Sequence, residues 1–347
     1  MTDPGPTAET AGKRPYETLS TLGRLRRLRA IAETALDRYD VDVVACDLAA
    51  KDTNLIYRVR AADGRVFALR ITHPEWRTES DLASEAMWLD ALARDTEIPA
   101  PKVVRADDGA SVVRVTAPGV PGYRLGLLMT WLPGRIMSCC LTESNIEAMG
   151  ELFARLHLQA GSWDPPPGFS ERRFDRVLSR GEPELLFGGE HAGGLDPRAR
   201  RSIRGAWDRA HEEYAELDES DGLRVIHCDL WHANIKVHRG VLHPFDFEDT
   251  VRGFRLHDLA MALLDLAEDE GTERYHRLLP VLRRGYERHL DWPEGDLIAL
   301  QQGRMLWRLN WIARYEPEWF AAEAAFCADL FERTRRVGKL TDPLRPS

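Results

Sequence analysis

The sequence predicts an α+β fold in two lobes: a small antiparallel-sheet lobe, then a larger, mainly helical one. Three observations predict it. Short segments rich in β-branched residues and alternating in polarity are concentrated in residues 41–132. From about residue 142 onward the apolar spacing is mostly helical. Between them, Pro133-Gly134 marks an abrupt change of character. The expected divisions are 1–40 (tail and first helix), 41–128 (sheet lobe), 129–135 (hinge) and 136–340 (helical lobe). With 347 residues, 44% of them hydrophobic, the chain has enough apolar material for two cores.

Taken in order, residues 1 to about 15 are rich in Pro, Gly, Thr and Ala and read as a flexible tail. Residues 18–39 read as an amphipathic helix, with Leu19, Leu22, Leu25, Leu28, Ile31 and Leu36 near helical spacing. Its Arg24, Arg26, Arg27 and Arg29 fit a solvated face better than a nucleic-acid patch. Strands follow at 41–48, 54–60 and 64–72, the last two joined by an Asp63-Gly64 turn that tolerates positive φ. A helix is expected at 80–95, and short strands at 103–106 and 124–132. The helical lobe carries helices from 143, then at 199–218, 256–267, 273–290 and 295–336. Loops are expected at 164–168 and 188–194. Residues 224–249 interrupt the helices with two short strands and a tight turn at Arg239-Gly240.

Composition excludes several classes. No run of 18 apolar residues occurs, so no membrane-spanning helix is expected. The first residues lack an apolar core after a basic start, and the five cysteines are scattered and odd in number. Reduced thiols and a cytoplasmic location are the expectation. Forty-seven basic against 56 acidic residues give a net charge of −9, which disfavours a nucleic-acid partner. Zinc is disfavoured too: Cys228, His232, His238 and His243 lack the paired spacing of a zinc site.

The informative segment is Ile226–Val237. It holds His227, Asp229 and Asn234 as H-x-D-x-x-x-x-N, and Asp246 stands twelve residues after Asn234, across the expected hairpin. A carboxylate on a tight loop can accept a proton from an attacking hydroxyl. An Asn five residues later can offer an amide oxygen to a cation, and a carboxylate on the returning strand can ligate the same cation. Phosphoryl transfer needs this equipment, because its catalysis is mostly positioning and charge neutralisation.

The segment resembles the catalytic loop and metal-binding strand of the aminoglycoside phosphotransferase family, which is related to choline, homoserine and fructosamine kinases. The family pattern stands here as His227-Cys228-Asp229-Leu230-Trp231-His232-Ala233-Asn234 and Pro244-Phe245-Asp246-Phe247-Glu248-Asp249. Cys228 replaces the usual glycine. Leu256-His257-Asp258-Leu259-Ala260 resembles the downstream D-L-A. The resemblance implies a protein-kinase-like two-lobe fold, with ATP or GTP and Mg²⁺ as cofactors. It implies Asp229 as catalytic base, Asn234 and Asp246 as metal ligands, and His227 and Asp258 as braces of the loop. In the sheet lobe, Phe67–Ile71 sits where kinases place V-A-I-K, with Arg70 in place of the lysine and Glu85 on the next helix as its partner. Asn54 and Tyr57 resemble the opening of the second strand, and Asn54 would approach the nucleotide phosphates. Leu128–Arg135, including Met129 and Trp131, resembles the hinge that reads adenine. Glu151–His157 resembles the family's L-x-x-L-H helix.

Taken singly, Arg70 fits a solvent-facing strand residue, Glu85 a surface charge and Asn54 a turn residue; only the whole arrangement makes them a nucleotide site. Strand parity puts Arg70 on the face opposite Phe67, Leu69 and Ile71. The implied function is transfer of the ATP γ-phosphate to a small-molecule hydroxyl on an antibiotic, a sugar or nucleoside, or an amino alcohol. The alternative is a catalytically weak, nucleotide-binding pseudokinase. A protein kinase is disfavoured, since about ten residues separate Asp246 from the helix at Leu256. The helix bearing Leu306–Trp311 reads as core before ligand cradle, and Glu268-Asp269-Glu270 as a solvated loop. The sequence does not specify the oligomeric state.

Overall fold

The computed structural model describes residues 14–342 and 344, apart from residues 75, 171 and 189–194. Most of the expected tail and of the 188–194 loop lies outside the described residues. The chain divides into two compact units. One comprises the residues up to Arg94 with Ala100–Leu132 and Pro165–Phe169. The other comprises Asp95–Pro99, Pro133–Asp164 and the chain from Ser170 onward.

The first unit is built on one antiparallel sheet. Its strands are β1 (Val43–Lys51), β2 (Leu55–Ala61), β3 (Val66–Ile71), β4 (Val113–Val115) and β5 (Arg124–Thr130), in the order β1-β2-β3-β5-β4. Helix α1 (Thr21–Leu36) starts at Ser20, whose hydroxyl accepts from the Gly23 amide. It buries Ile31, Ala32, Ala35 and Leu36 in one core with Tyr57, Val59, Phe67, Leu69, Ile71 and Leu128. Leu22, counted in the apolar spacing, is exposed. Of the four α1 arginines, Arg24 and Arg27 donate to backbone carbonyls and Arg29 pairs with Glu33 at 2.9 Å. Helix α2 (Glu79–Asp95) follows β3.

One strand differs from expectation. Residues 103–106 make only a single bridge, Val103 to Met129, and the edge strand forms later, at β4. The turn closed by Gly109 onto the Ala106 carbonyl ends the pairing before a second bridge can form.

The second unit is helical, with two small three-stranded sheets. Helix α3 (Glu143–Ser162) is capped by Thr142, and α4 (Pro197–Ser220) by Asp196, with Pro197 at its first position. Next come β8 (Arg224–Ile226), β9 (Ile235–His238), β10 (Val241–Pro244) and β11 (Val251–Gly253). The β9–β10 hairpin turns at Arg239 and Gly240, both at positive φ, and β6 (Arg135–Ile136) adds a third strand. The other sheet, β7 (Arg173–Phe174) with β11 and β8, was not expected.

Helices α5 (Arg255–Glu270), α6 (Thr272–Tyr286), α7 (Leu297–Tyr315) and α8 (Phe320–Val337) complete the unit. The helical segment 295–336 is therefore two helices, separated at Pro317, which cannot continue a helix hydrogen-bond ladder. Helices α3 and α6 meet backbone to backbone. A Cβ at Gly150 would lie 2.0 Å from the Leu282 carbonyl oxygen. No helix among the described residues is long and apolar enough to cross a membrane.

Candidate active site

The catalytic loop runs from the end of β8 to the start of β9. Its conformation is set by Asp258 in the first turn of α5, a carboxylate 1% exposed. Asp258 accepts from the Cys228 amide at 2.7 Å, the His227 amide at 3.3 Å and the His157 ring at 3.1 Å. Burial alone would raise its pKa. The hydrogen bond from His157, with the His227 ring and the Cys228 amide, outweighs it and holds the carboxyl below its usual range. Burial keeps His157 neutral, so it donates to Asp258 and accepts from the Tyr286 hydroxyl at 2.9 Å.

Cys228 stands at φ 67°, the left-handed region that the family's glycine adopts without strain. This turn delivers Asp229. The Asn234 amide donates to both the backbone oxygen and Oδ2 of Asp229, each at 2.8 Å. His227 donates to the Phe245 carbonyl at 3.1 Å and accepts from the Asp229 amide at 3.4 Å. The Phe245 amide in turn bonds the Asn234 carbonyl at 2.9 Å. These bonds tie the loop to the residue before Asp246, which is itself left-handed at φ 66°.

Burial pushes the Asp229 carboxyl well above its usual range. The charges of Asp249, Asp246 and Asp265 push the same way, and Arg304 opposes them. Asn234 and Asp246 carry oxygen donors of the kind a hard divalent cation takes, and the Asn234 nitrogen is turned to Asp229. Asp249 pairs with Arg180 at 3.0 Å.

The far end of the loop is held from the same helix. His232, 1% exposed, bonds Asp269 at 3.0 Å. Glu268, also 1% exposed at its side chain, forms a two-point pair with Arg308 on α7. The expectation of a solvated loop at Glu268-Asp269-Glu270 is thus corrected. These residues close α5, and all three are matched within the unit, Glu270 by Arg274.

In the first unit, Arg70 and Glu85 form a salt bridge at 2.6 Å with 2% and 1% side-chain exposure, so Arg70 does not face solvent. The Asn54 side-chain oxygen accepts from the His73 amide at 3.3 Å and is nearly buried. Met129 is buried opposite Ala68. The Trp131 amide donates to the Val66 carbonyl at 3.0 Å and that of Thr130 to Lys102 at 2.9 Å. The Trp131 N–H is therefore occupied within the sheet. Its ring lies under Arg58.

Sequence reasoning assigned no role to His157, Asp265 or Asp269, and placed Arg304 only among the arginines of helices read as core before ligand cradle. Asp265 and Asp269 follow Asp258 by seven and eleven residues, the spacing of one helix face, and that signal was available. The His157–Asp258 and His232–Asp269 pairings are tertiary and left no mark in the local pattern.

Residues 47–298 match the model of the phosphotransferase enzyme family. A protein of Synechocystis sp., uncharacterized protein sll1119, is 30% identical over 165 residues, 47% of this chain and 43% of that protein. The match thus spans less than half of that relative's length. Among solved structures, a microcompartment-associated aminopropanol kinase is 23% identical with a TM-score of 0.69, covering 90% of this chain and 99% of that one. An amicoumacin kinase in complex with AMP-PNP, Ca²⁺ and Ami is 17% identical with a TM-score of 0.71, covering 89% and 96%. A choline/ethanolamine kinase family protein from Mesorhizobium loti is 16% identical with a TM-score of 0.58, covering 89% and 93%. At these identities the structural likeness establishes the fold.

Proposed function

The chain belongs to the phosphotransferase enzyme family, and from that premise we propose that it is a small-molecule kinase, moving the γ-phosphoryl group of ATP to an acceptor hydroxyl with Mg²⁺. The observation that carries the reading is the Asn234 amide gripping Asp229 at two oxygens. It fixes a carboxylate in one rotamer and leaves Oδ1 for an incoming hydroxyl. Asp229 orients that hydroxyl and takes its proton as the new P–O bond forms. The Asn234 amide oxygen and Asp246 would hold Mg²⁺, which when bound offsets charge on the phosphate oxygens.

His227 and Asp258 keep the loop in register and move no proton themselves. In the first unit, Glu85 orients the Arg70 guanidinium, a fork suited to the α- and β-phosphates. Asn54 would approach the same phosphates. The hinge at 129–135 would read adenine through groups other than the Trp131 N–H, and Met129 would close the adenine side. The soluble acceptor is proposed to be an antibiotic, a sugar or nucleoside, or an amino alcohol, met in the cytoplasm.

The test is transfer of label from γ-³²P-ATP to acceptors of those classes with and without Mg²⁺, beside calorimetry of ATP binding. Asp246→Ala should abolish transfer together with the Mg²⁺-dependent tightening of ATP binding. An unchanged magnesium effect in that variant moves the metal site elsewhere, and absence of transfer to every class refutes the reading.

A further inference from the structure

The fields of six charged groups besides the base meet around Asp229 and Asp265: Asp246, Asp249, Arg304, Glu268, Arg308 and Asp269. Most have a function or a partner. Asp246 is the proposed metal ligand, Asp249 pairs with Arg180, Glu268 with Arg308, and Asp269 with His232. Arg304 and Asp265 remain. Among the described residues neither has a hydrogen bond or an ion pair, although both are half-buried.

Their placement is built. Asp265 lies on α5 between Asp258, which holds residues 227 and 228, and Asp269, which holds His232. It therefore faces the middle of the catalytic loop. Arg304 precedes the Arg308–Glu268 pair by one turn of α7, as Asp265 does on α5, and those helices pack together. Its guanidinium is stacked on Trp307 with 4.5 Å to the ring centroid. Trp307 is itself fixed by donating to Glu182 at 2.9 Å. The cation is thus oriented before any ligand arrives, which lowers the ordering cost of binding.

We propose that Arg304 and Asp265 form a two-charge clasp for the acceptor, which is accordingly zwitterionic: an alcohol with an acidic group met by Arg304 and an amino group met by Asp265. The inference rests on Asp229 being the base of a phosphotransferase and names the substrate class of that site. A guanidinium takes a carboxylate or phosphate through two parallel N–H bonds. A partly buried carboxylate without a hydrogen-bonding cation favours an ammonium donor, and burial raises Asp265 to about 6 against the charges of Arg304 and Arg308. A polycationic acceptor would have to place one of its cations against Arg304, a like charge. A neutral sugar would leave both charges unmatched.

The experiment uses two matched quartets of acceptors: serine, serinamide, glycerate and glyceramide; and muramic acid, glucosamine, glucuronate and glucose. Dissociation constants come from calorimetry and kcat and KM from phosphate transfer. In at least one quartet the zwitterion should bind at least tenfold better than its three analogues. Arg304→Gln should erase the preference for acid over amide or hydroxyl, and Asp265→Asn the preference for amine over hydroxyl. Each change should fall on KM for the matched charge. Equal loss with all acceptors in either variant marks a structural role and overturns the proposal. So does a cation-first, neutral-first or absent order in both quartets. Transfer with the wrong charge order refutes the clasp alone. No transfer by wild type, to these or to any other acceptor, refutes the underlying reading.

Discussion

Asp258, buried, and Asp229, half-buried, are two carboxylates at one loop, and their electrostatics are opposite. Asp258 collects three donors, two amides and a neutral imidazole, and is held below the usual carboxyl range. Asp229 receives one side-chain amide on Oδ2, faces the charges of Asp249 and Asp246, and is pushed well above that range. Both are desolvated, so burial does not distinguish them; the donors do. A saturated carboxylate is an anchor. An under-donated one is available to a proton from substrate.

The comparison breaks most visibly by neutralising each member in turn. Asp229→Asn should lower transfer by about 10²–10⁴-fold, as expected for loss of a positioned base. The same variant should unfold at higher denaturant than wild type near pH 7, because a carboxyl raised by burial costs stability when ionised. Asp258→Ala should do the reverse in stability. It leaves the His157 ring and two amides without their acceptor, a loss of about 1–3 kcal/mol for each buried donor left unsatisfied. Urea unfolding of both proteins reads the two signs. Equal destabilisation would mean that the donor count does not separate anchor from base.

A smaller effect concerns pH. Burial pushes His257, which shares a hydrogen bond with the Tyr214 hydroxyl at 2.8 Å, down to about 3, while the Asp258 charge opposes. Below about pH 6.5 the unfolded chain gains a proton at this position that the native protein refuses. Stability should therefore fall as pH drops from about 6.5 towards 3, by about 1.4 kcal/mol per unit for one such group. His157 and His227, also lowered by burial, act in the same direction. Asp265, raised to about 6, and Asp229, raised well above the carboxyl range, act against them. Urea midpoints at pH 7 and 5.5 should show the loss, and His257→Gln should flatten the slope by about one proton. An unchanged slope removes His257 from the account.

The sheet, the hairpin turn and most helices were legible because alternation and helical spacing are local properties. The spacing of His227, Asp229, Asn234 and Asp246 was legible for the same reason: one loop and one hairpin bring them together. What escaped was tertiary. Nothing local says that His157 on α3 donates to Asp258 on α5 across about a hundred residues, or that Glu268 on α5 is matched by Arg308 on α7. The acidic stretch at 268–270 resembled a solvated loop because sequence shows charge without showing its partner. Residues 103–106 have strand composition, yet a turn at Gly109 leaves them one bridge.

The smallest expected effect is at Cys228, whose amide is one of the three donors to Asp258. A non-glycine residue in the left-handed region costs about 1–2 kcal/mol, and Cys228→Gly removes that cost. The substitution also deletes a side chain that is 9% exposed and lies 3.8 Å from the His257 ring, and it frees the unfolded chain by about 0.5–1 kcal/mol. These terms oppose, so Cys228→Gly should change stability by less than about 1 kcal/mol and leave transfer activity intact. Cys228→Ala separates them, because it loses the thiol and keeps the strained φ. Alanine should be the less stable of the two variants by the strain less glycine's chain entropy, about 0.5–1 kcal/mol. If it is the more stable in urea unfolding, the left-handed turn at 228 is not strained, and the Asp258 carboxylate receives that amide without any conformational cost to the loop.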